Sequence, residues 1–169
     1  MSIVQISLTK GQVAIVDESD YHLVADHQWI AALITPRNPS IGYYAVRYVG
    51  KYRLPMHRVI LGLDRYDPRM PDHRDGNGMN NTRGNLRIAT SAQNRANQRK
   101  YAGCKCSRYK GVQPSVSRKN PWRAYIGGLG AAKMRHIGVF LTEEAAARAY
   151  DAEARRVFGE FARLNFPES

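Results

Sequence analysis

The most constraining stretch of this 169-residue chain is RMPDHRDGNGMNNTRGNLRIATSAQNRANQRK, residues 69–100. It predicts a strand over 69–73, a Gly- and Asn-rich loop over 74–84 and a returning strand over 86–89. A helix follows. Thr90 is its N-cap and Gln93, three residues on, completes a capping box. A strand–loop–strand–helix order of this kind leaves little freedom in where its polar side chains sit. Asp72 and His73 stand at the end of the first strand, Asn85 closes the loop, and Asn94 lies in the first turns of the helix, expected to face the hairpin end.

These residue types suit one chemistry. A carboxylate and a carboxamide bind a hard divalent cation through oxygen. A neutral imidazole accepts a proton from water near pH 7. Metal and base together are what phosphodiester hydrolysis requires. Charge points the same way. The net charge is +12, distributed as +1 over residues 1–56, +6 over 57–106 and +5 over 107–169. An anionic polymer is the natural partner of such a chain.

Other classes fit less well. No apolar run approaches the roughly 20 residues of a membrane span, and the first residues lack the pattern of a signal peptide. Cys104 and Cys106 cannot complete a four-ligand zinc site, so no zinc is expected and the pair reads as reduced thiols in a linker. The chain is expected to be a cytoplasmic monomer.

Around the central stretch, residues 1–56 read as a small β-rich segment, with strands at 3–8, 13–16 and 42–49 and a short helix at 20–27 capped by Ser19 or Asp20. Trp29 and Tyr43, Tyr44, Tyr48 and Tyr52 suit either base stacking or packing of a small sheet, and packing is the favoured reading. Residues 101–108 read as a basic linker. Residues 109–117, 122–127 and 133–140 read as strands. Thr142 caps a long helix with Glu143 and Glu144 in its first turn and Gly159 as its stop. The predicted class is α+β, with a three-stranded antiparallel sheet packed on one helix at the C-terminal end.

Two resemblances sharpen this reading. Residues 57–100 resemble the core of HNH homing endonucleases, the ββα-metal nucleases, in the variant whose last position is Asn. The matching elements are His57-Arg58, Asp72-His73, Gly76-Asn77, Asn80-Asn81, Asn85-Leu86-Arg87, Asn94 and Asn97. The resemblance implies that His73 is the general base, that Asp72 and Asn94 hold one divalent ion (Mg2+ or Mn2+), and that Asn85 braces the loop. His57, with Arg58, is either a phosphate contact or a structural histidine, and both remain open. Residues 109–167 resemble the DNA-binding domain of plant ethylene-response and Apetala-type factors, through Tyr109-Lys110-Gly111-Val112, Trp122-Arg123-Ala124, Ile137-Gly138-Val139-Phe140 and Leu164-Asn165-Phe166-Pro167. That fold lays its sheet in the major groove. The implied contacts to double-stranded DNA are Lys110, Arg123, Tyr125, Lys133 and His136, joined by Arg87, Arg95, Arg99, Lys100, Lys105 and Arg108 from the basic stretch. The combination resembles endonucleases of phages and mobile elements, acting in a bacterial host. The competing expectations are a DNA-binding regulator with a vestigial centre and an RNA-directed nuclease; the narrow RNA major groove disfavours the latter.

Overall fold

The computed structural model describes residues 2–34, 42–100, 106–127 and 134–167. Lys105, Lys133, Cys104 and most of the predicted linker lie outside these residues. The protein is mixed α and β, built from several small sheets, and its residues sort into two compact units, Met1–Ala89 and Thr90–Ser169.

In the first unit, β1 (Ile3–Ser7) pairs antiparallel with β2 (Val13–Asp17). A second sheet has the order β3 (Ile30–Leu33), β4 (Tyr43–Val49), β5 (Tyr52–Pro55). The short helix α1 (Met56–Ile60) follows, then a hairpin of β6 (Met70–His73) and β7 (Leu86–Ala89). Sequence patterning reveals neither β3 nor β5, each only four residues long. β3 contributes Ala31 to the core of this unit, formed with Ala14, Val16, Val24, Trp29, Ala45, Met56, Ile60, Met79 and Leu86. Trp29 is packed in it and its indole N–H donates to the Val24 carbonyl at 2.9 Å. Packing therefore holds for Trp29, whereas Tyr48 and Tyr52 are exposed.

The helix expected at 20–27 is instead a 3-10 turn, Glu18–Leu23, with Asp17 as N-cap and no side-chain capping bond. The carboxylates that a cap would use are engaged elsewhere. Asp20 receives the Arg83 guanidinium through both oxygens, at 2.8 and 3.1 Å for Nε, and Asp17 accepts the Arg83 backbone N–H at 2.8 Å. The Gly- and Asn-rich loop is further tied to β2, where Ile15 N–H donates to Met79 O and Asn81 N–H to Ile15 O.

The second unit begins with α2 (Ser91–Asn97), whose capping box between Thr90 and Gln93 is formed in both directions. Its Ala96 is buried in the core of this unit. Strands β8 (Val112–Pro114), β9 (Trp122–Ile126) and β10 (Arg135–Phe140) form an antiparallel sheet with β9 in the centre, against which α3 (Glu143–Phe158) packs. β8 is far shorter than the predicted 109–117. Gly111 precedes it at φ +76° and Pro114, which has no N–H to donate, ends it. Ala124, Ala146, Ala147 and Ala154 are fully buried, and their small size lets helix and sheet approach closely. Asp151 is buried on the same helix and accepts from the backbone N–H groups of Asn165 and Phe166, both at 2.8 Å, docking the chain that follows α3.

Candidate active site

The β6–β7 hairpin sets Asp72 opposite Arg87 and His73 opposite Leu86. Neighbouring residues on a strand point to opposite faces, and the two polar side chains find different company. Asp72 Oδ2 accepts from Arg87 Nε at 2.8 Å, and both side chains are buried, 5% and 7% exposed. Arg87, expected at the DNA surface, is thus corrected to an internal counter-charge for Asp72.

The imidazole of His73 lies among rings. Tyr44 from β4 stacks on it with centroids 5.5 Å apart and planes at 25°. His57 from α1 meets it nearly perpendicular, at 5.1 Å and 83°. His73 Nε2 is 3.3 Å from Oδ1 of Asn81. Asn81 is fully buried and its Nδ2 donates to the carbonyls of Met79 and Gly78, at 3.2 and 3.5 Å. Those donor bonds orient the amide with its oxygen toward the ring, an arrangement that favours the tautomer protonated on Nε2. Burial lowers the His73 pKa below the ordinary histidine value, against the opposing pull of Asn81, Asp75 and Asp72. Burial, His73 and Arg58 together push His57 down to about 3. Both rings are neutral at pH 7. His57 Nδ1 is buried without a hydrogen-bond partner among the described residues.

Asn85 ties the loop together. Its Nδ2 donates to Asp75 Oδ1 at 3.0 Å and to Asn80 O at 2.7 Å, and its Oδ1 accepts the Asp75 backbone N–H at 3.0 Å. One amide thus uses both its donor and acceptor capacity across a ten-residue separation. Arg58 staples a different loop, with its guanidinium on the carbonyls of Asp64, Asp67 and Arg69.

Among the described residues, no three His, Cys, Asp or Glu side chains gather as a metal cage. A magnesium-like ion needs only one or two protein oxygens beside water and phosphate. The Asp72 carboxylate is a donor of the fitting kind, and a cation bound there would share it with Arg87.

Over 161 residues, 92% of this chain, the sequence is 32% identical to a protein of Acanthamoeba polyphaga mimivirus described as an uncharacterized HNH endonuclease, covering 76% of that protein. The chain belongs to the HNH endonuclease family. No protein-family model matches it, and no solved structure does. Nuclease activity is accordingly the family's function to which the centre around His73 must be fitted.

The remaining candidates of this HNH chain lie in the second unit. Asn94 is on α2 and so belongs to that unit, whereas Asp72 and His73 belong to the first. Arg95 and Arg99 are exposed, and Lys100 is partly buried with its ammonium on the Ser107 carbonyl. Arg108 is exposed and pairs with Glu143 and Glu144. Lys110, expected to contact DNA, is largely buried instead. Its ammonium donates to the carbonyls of Ala96 and, at 2.7 Å, Gln98, closing the C-terminus of α2. Burial and the nearby Arg163 push its pKa down to about 8. On the sheet, Arg123 lies over the Tyr125 ring at 5.2 Å and Tyr125 contacts His136 at 5.1 Å. Sequence reasoning did not assign Tyr44, Asp75, Asp20 or Asp151 to these networks. The Asn-rich loop was the available signal for Asn81, since a buried amide needs several local carbonyls.

Proposed function

We propose that this HNH-family chain is a divalent-metal-dependent DNA endonuclease of the homing type carried by mobile elements, with a sheet-based unit that binds the target. The observation carrying this reading is His73: a buried imidazole whose Nε2 lies 3.3 Å from Asn81 Oδ1, with a carboxylate adjacent to it on the same strand. In this reading His73 Nδ1 takes the proton from the attacking water. Asn81 keeps the tautomer, and Asn85 keeps the loop closed around it. Asp72, beside His73 on the same strand, would hold the cation. A bound cation neutralises charge on the phosphate and on the leaving 3′ oxygen.

The viral source of the relative fits a mobile-element nuclease. Double-stranded DNA is the proposed substrate. The proposed contact face comprises Arg123, Tyr125 and His136, with Arg95, Arg99 and Arg108 supplying phosphate contacts. The salt-dependent part of affinity follows the number of phosphates so neutralised.

Incubating supercoiled plasmid with the full-length protein and Mg2+ or Mn2+, with and without chelator, tests the proposal. Wild type is expected to nick or linearise the plasmid only with metal, and His73→Ala and Asp72→Ala to lose about two orders of magnitude or more in rate. Equal cutting by wild type and His73→Ala removes the assignment. One observation favours a second reading, a DNA-binding regulator with a vestigial centre: Asp72 already has a buried cationic partner in Arg87. Specific DNA binding with no cleavage under either metal would select it.

A further inference from the structure

The N-terminal segment supplies more than a platform for the hairpin. Tyr44 comes from the central strand of the β3–β4–β5 sheet and lies ring to ring on His73 at 5.5 Å and 25°. His57 stands edge-on to both rings, 5.0 Å and 75° from Tyr44 and 5.1 Å and 83° from His73. Stacked and edge-to-face pairs are the favoured aromatic geometries. His73 cannot turn about its Cβ–Cγ bond without breaking both. The hydrogen bond from Nε2 to Asn81, at 3.3 Å, does not by itself fix the ring plane.

Gly78 protects the same arrangement. A Cβ there would lie 2.2 Å from Tyr44 Cδ1 and 2.4 Å from Tyr43 O, far inside any real approach of two such atoms. Its φ is not positive, so the position needs glycine for space and not for backbone freedom. Its carbonyl meanwhile accepts from Asn81, the residue holding His73. Tyr44, Gly78, Asn81 and His73 therefore form one continuous stack, drawn from β4, the loop and β6.

We propose that Tyr44 and His57 are positioning residues, a two-ring clamp that fixes the plane of the His73 imidazole so that Nδ1 points at the attacking water, with Gly78 kept free of a side chain to seat Tyr44. This rests on the reading of His73 as the base. Neither ring needs to touch DNA. The β-rich segment over 1–56 is then part of the catalytic device, because it carries one jaw of the clamp.

The test uses the full-length protein. Ring resonances of His73 are assigned by their loss in His73→Ala, and wild type is expected to show nuclear Overhauser effects between the Tyr44 and His73 rings. Their absence overturns the clamp. In plasmid cleavage, Tyr44→Leu is expected to lower kcat on the order of 100-fold with KM unchanged, the size of loss a small misplacement of a reacting group causes. Tyr44→Phe, which keeps the ring, restores most of it, and Gly78→Ala behaves like Tyr44→Leu. Equal kcat for wild type and a folded Tyr44→Leu sinks the clamp and leaves the base assignment standing. Wild type cutting no faster than His73→Ala sinks the base assignment, and with it the catalytic meaning of the clamp.

Discussion

A buried ion pair is a poor source of net stability but a costly thing to break. Removing one partner leaves an uncompensated charge away from water, at about 3–5 kcal/mol. Arg87→Met and Asp72→Asn should each destabilise the first unit, because each strands the full charge of the other partner. The double variant should lose less than the sum of the two, as urea unfolding of all three proteins will reveal. The two histidines set a pH dependence with a definite sign. His57 has an ordinary value of 6.5 and a folded value of about 3. As pH falls below 6.5 the unfolded chain takes up a proton that the folded chain refuses, so stability is full above 6.5 and declines toward 3, by up to about 1.4 kcal/mol per pH unit per such group. His57→Asn should flatten that slope in unfolding curves taken at several pH values. His73 shifts in the same direction. Cleavage should therefore persist below pH 6.5, and an inflection of the single-turnover rate at or above 6.5 counts against a buried base.

Elements here are set by short devices that act over one turn. The capping box at Thr90 satisfies two of the N–H groups at the start of a seven-residue helix. Thr90→Ala should cost about 1 kcal/mol, read as a lowered midpoint for the second unit, where Ala96 is buried. At the other end of α2, Lys110 supplies what the helix lacks, cationic donors for its last carbonyls. That element-level use explains why a lysine expected on DNA is folded inward. Gly111 sits beside it at φ +76°, with the Tyr150 ring 2.0 Å from where a Cβ would be. Gly111→Ala combines backbone strain with overpacking, together about 2–4 kcal/mol.

The described residues form two separate apolar cores, one for each compact unit. Calorimetry of Gly111→Ala is expected to lower the transition of the second unit and leave that of the first in place; a single transition shifted as one would argue against separable units. The net charge of +12 belongs to this level too. DNA affinity should fall linearly in log K against log salt concentration, and Arg95→Ala with Arg99→Ala should reduce the slope by about one for each phosphate left without its arginine.

Short-range patterns were readable directly. Strand β7, the Thr90 capping box, the Thr142 cap and the stop of α3 at Gly159 all follow from residues within four positions of each other, where capping geometry and side-chain periodicity decide the backbone. The presence of Asp72, His73, Asn85 and Asn94 in one stretch was equally plain. Their partners were not. Arg83 meets Asp20 across 63 residues, Lys110 meets the end of α2, and Tyr44 meets His73 from another sheet. Arg87 reads identically in sequence whether it faces phosphate or Asp72. Only burial separates the two, because a carboxylate taken out of water must find a counter-charge. Local composition selects which elements form and which chemistry they carry. Which groups that chemistry can use is decided by the packing that brings distant strands together and excludes water from between them.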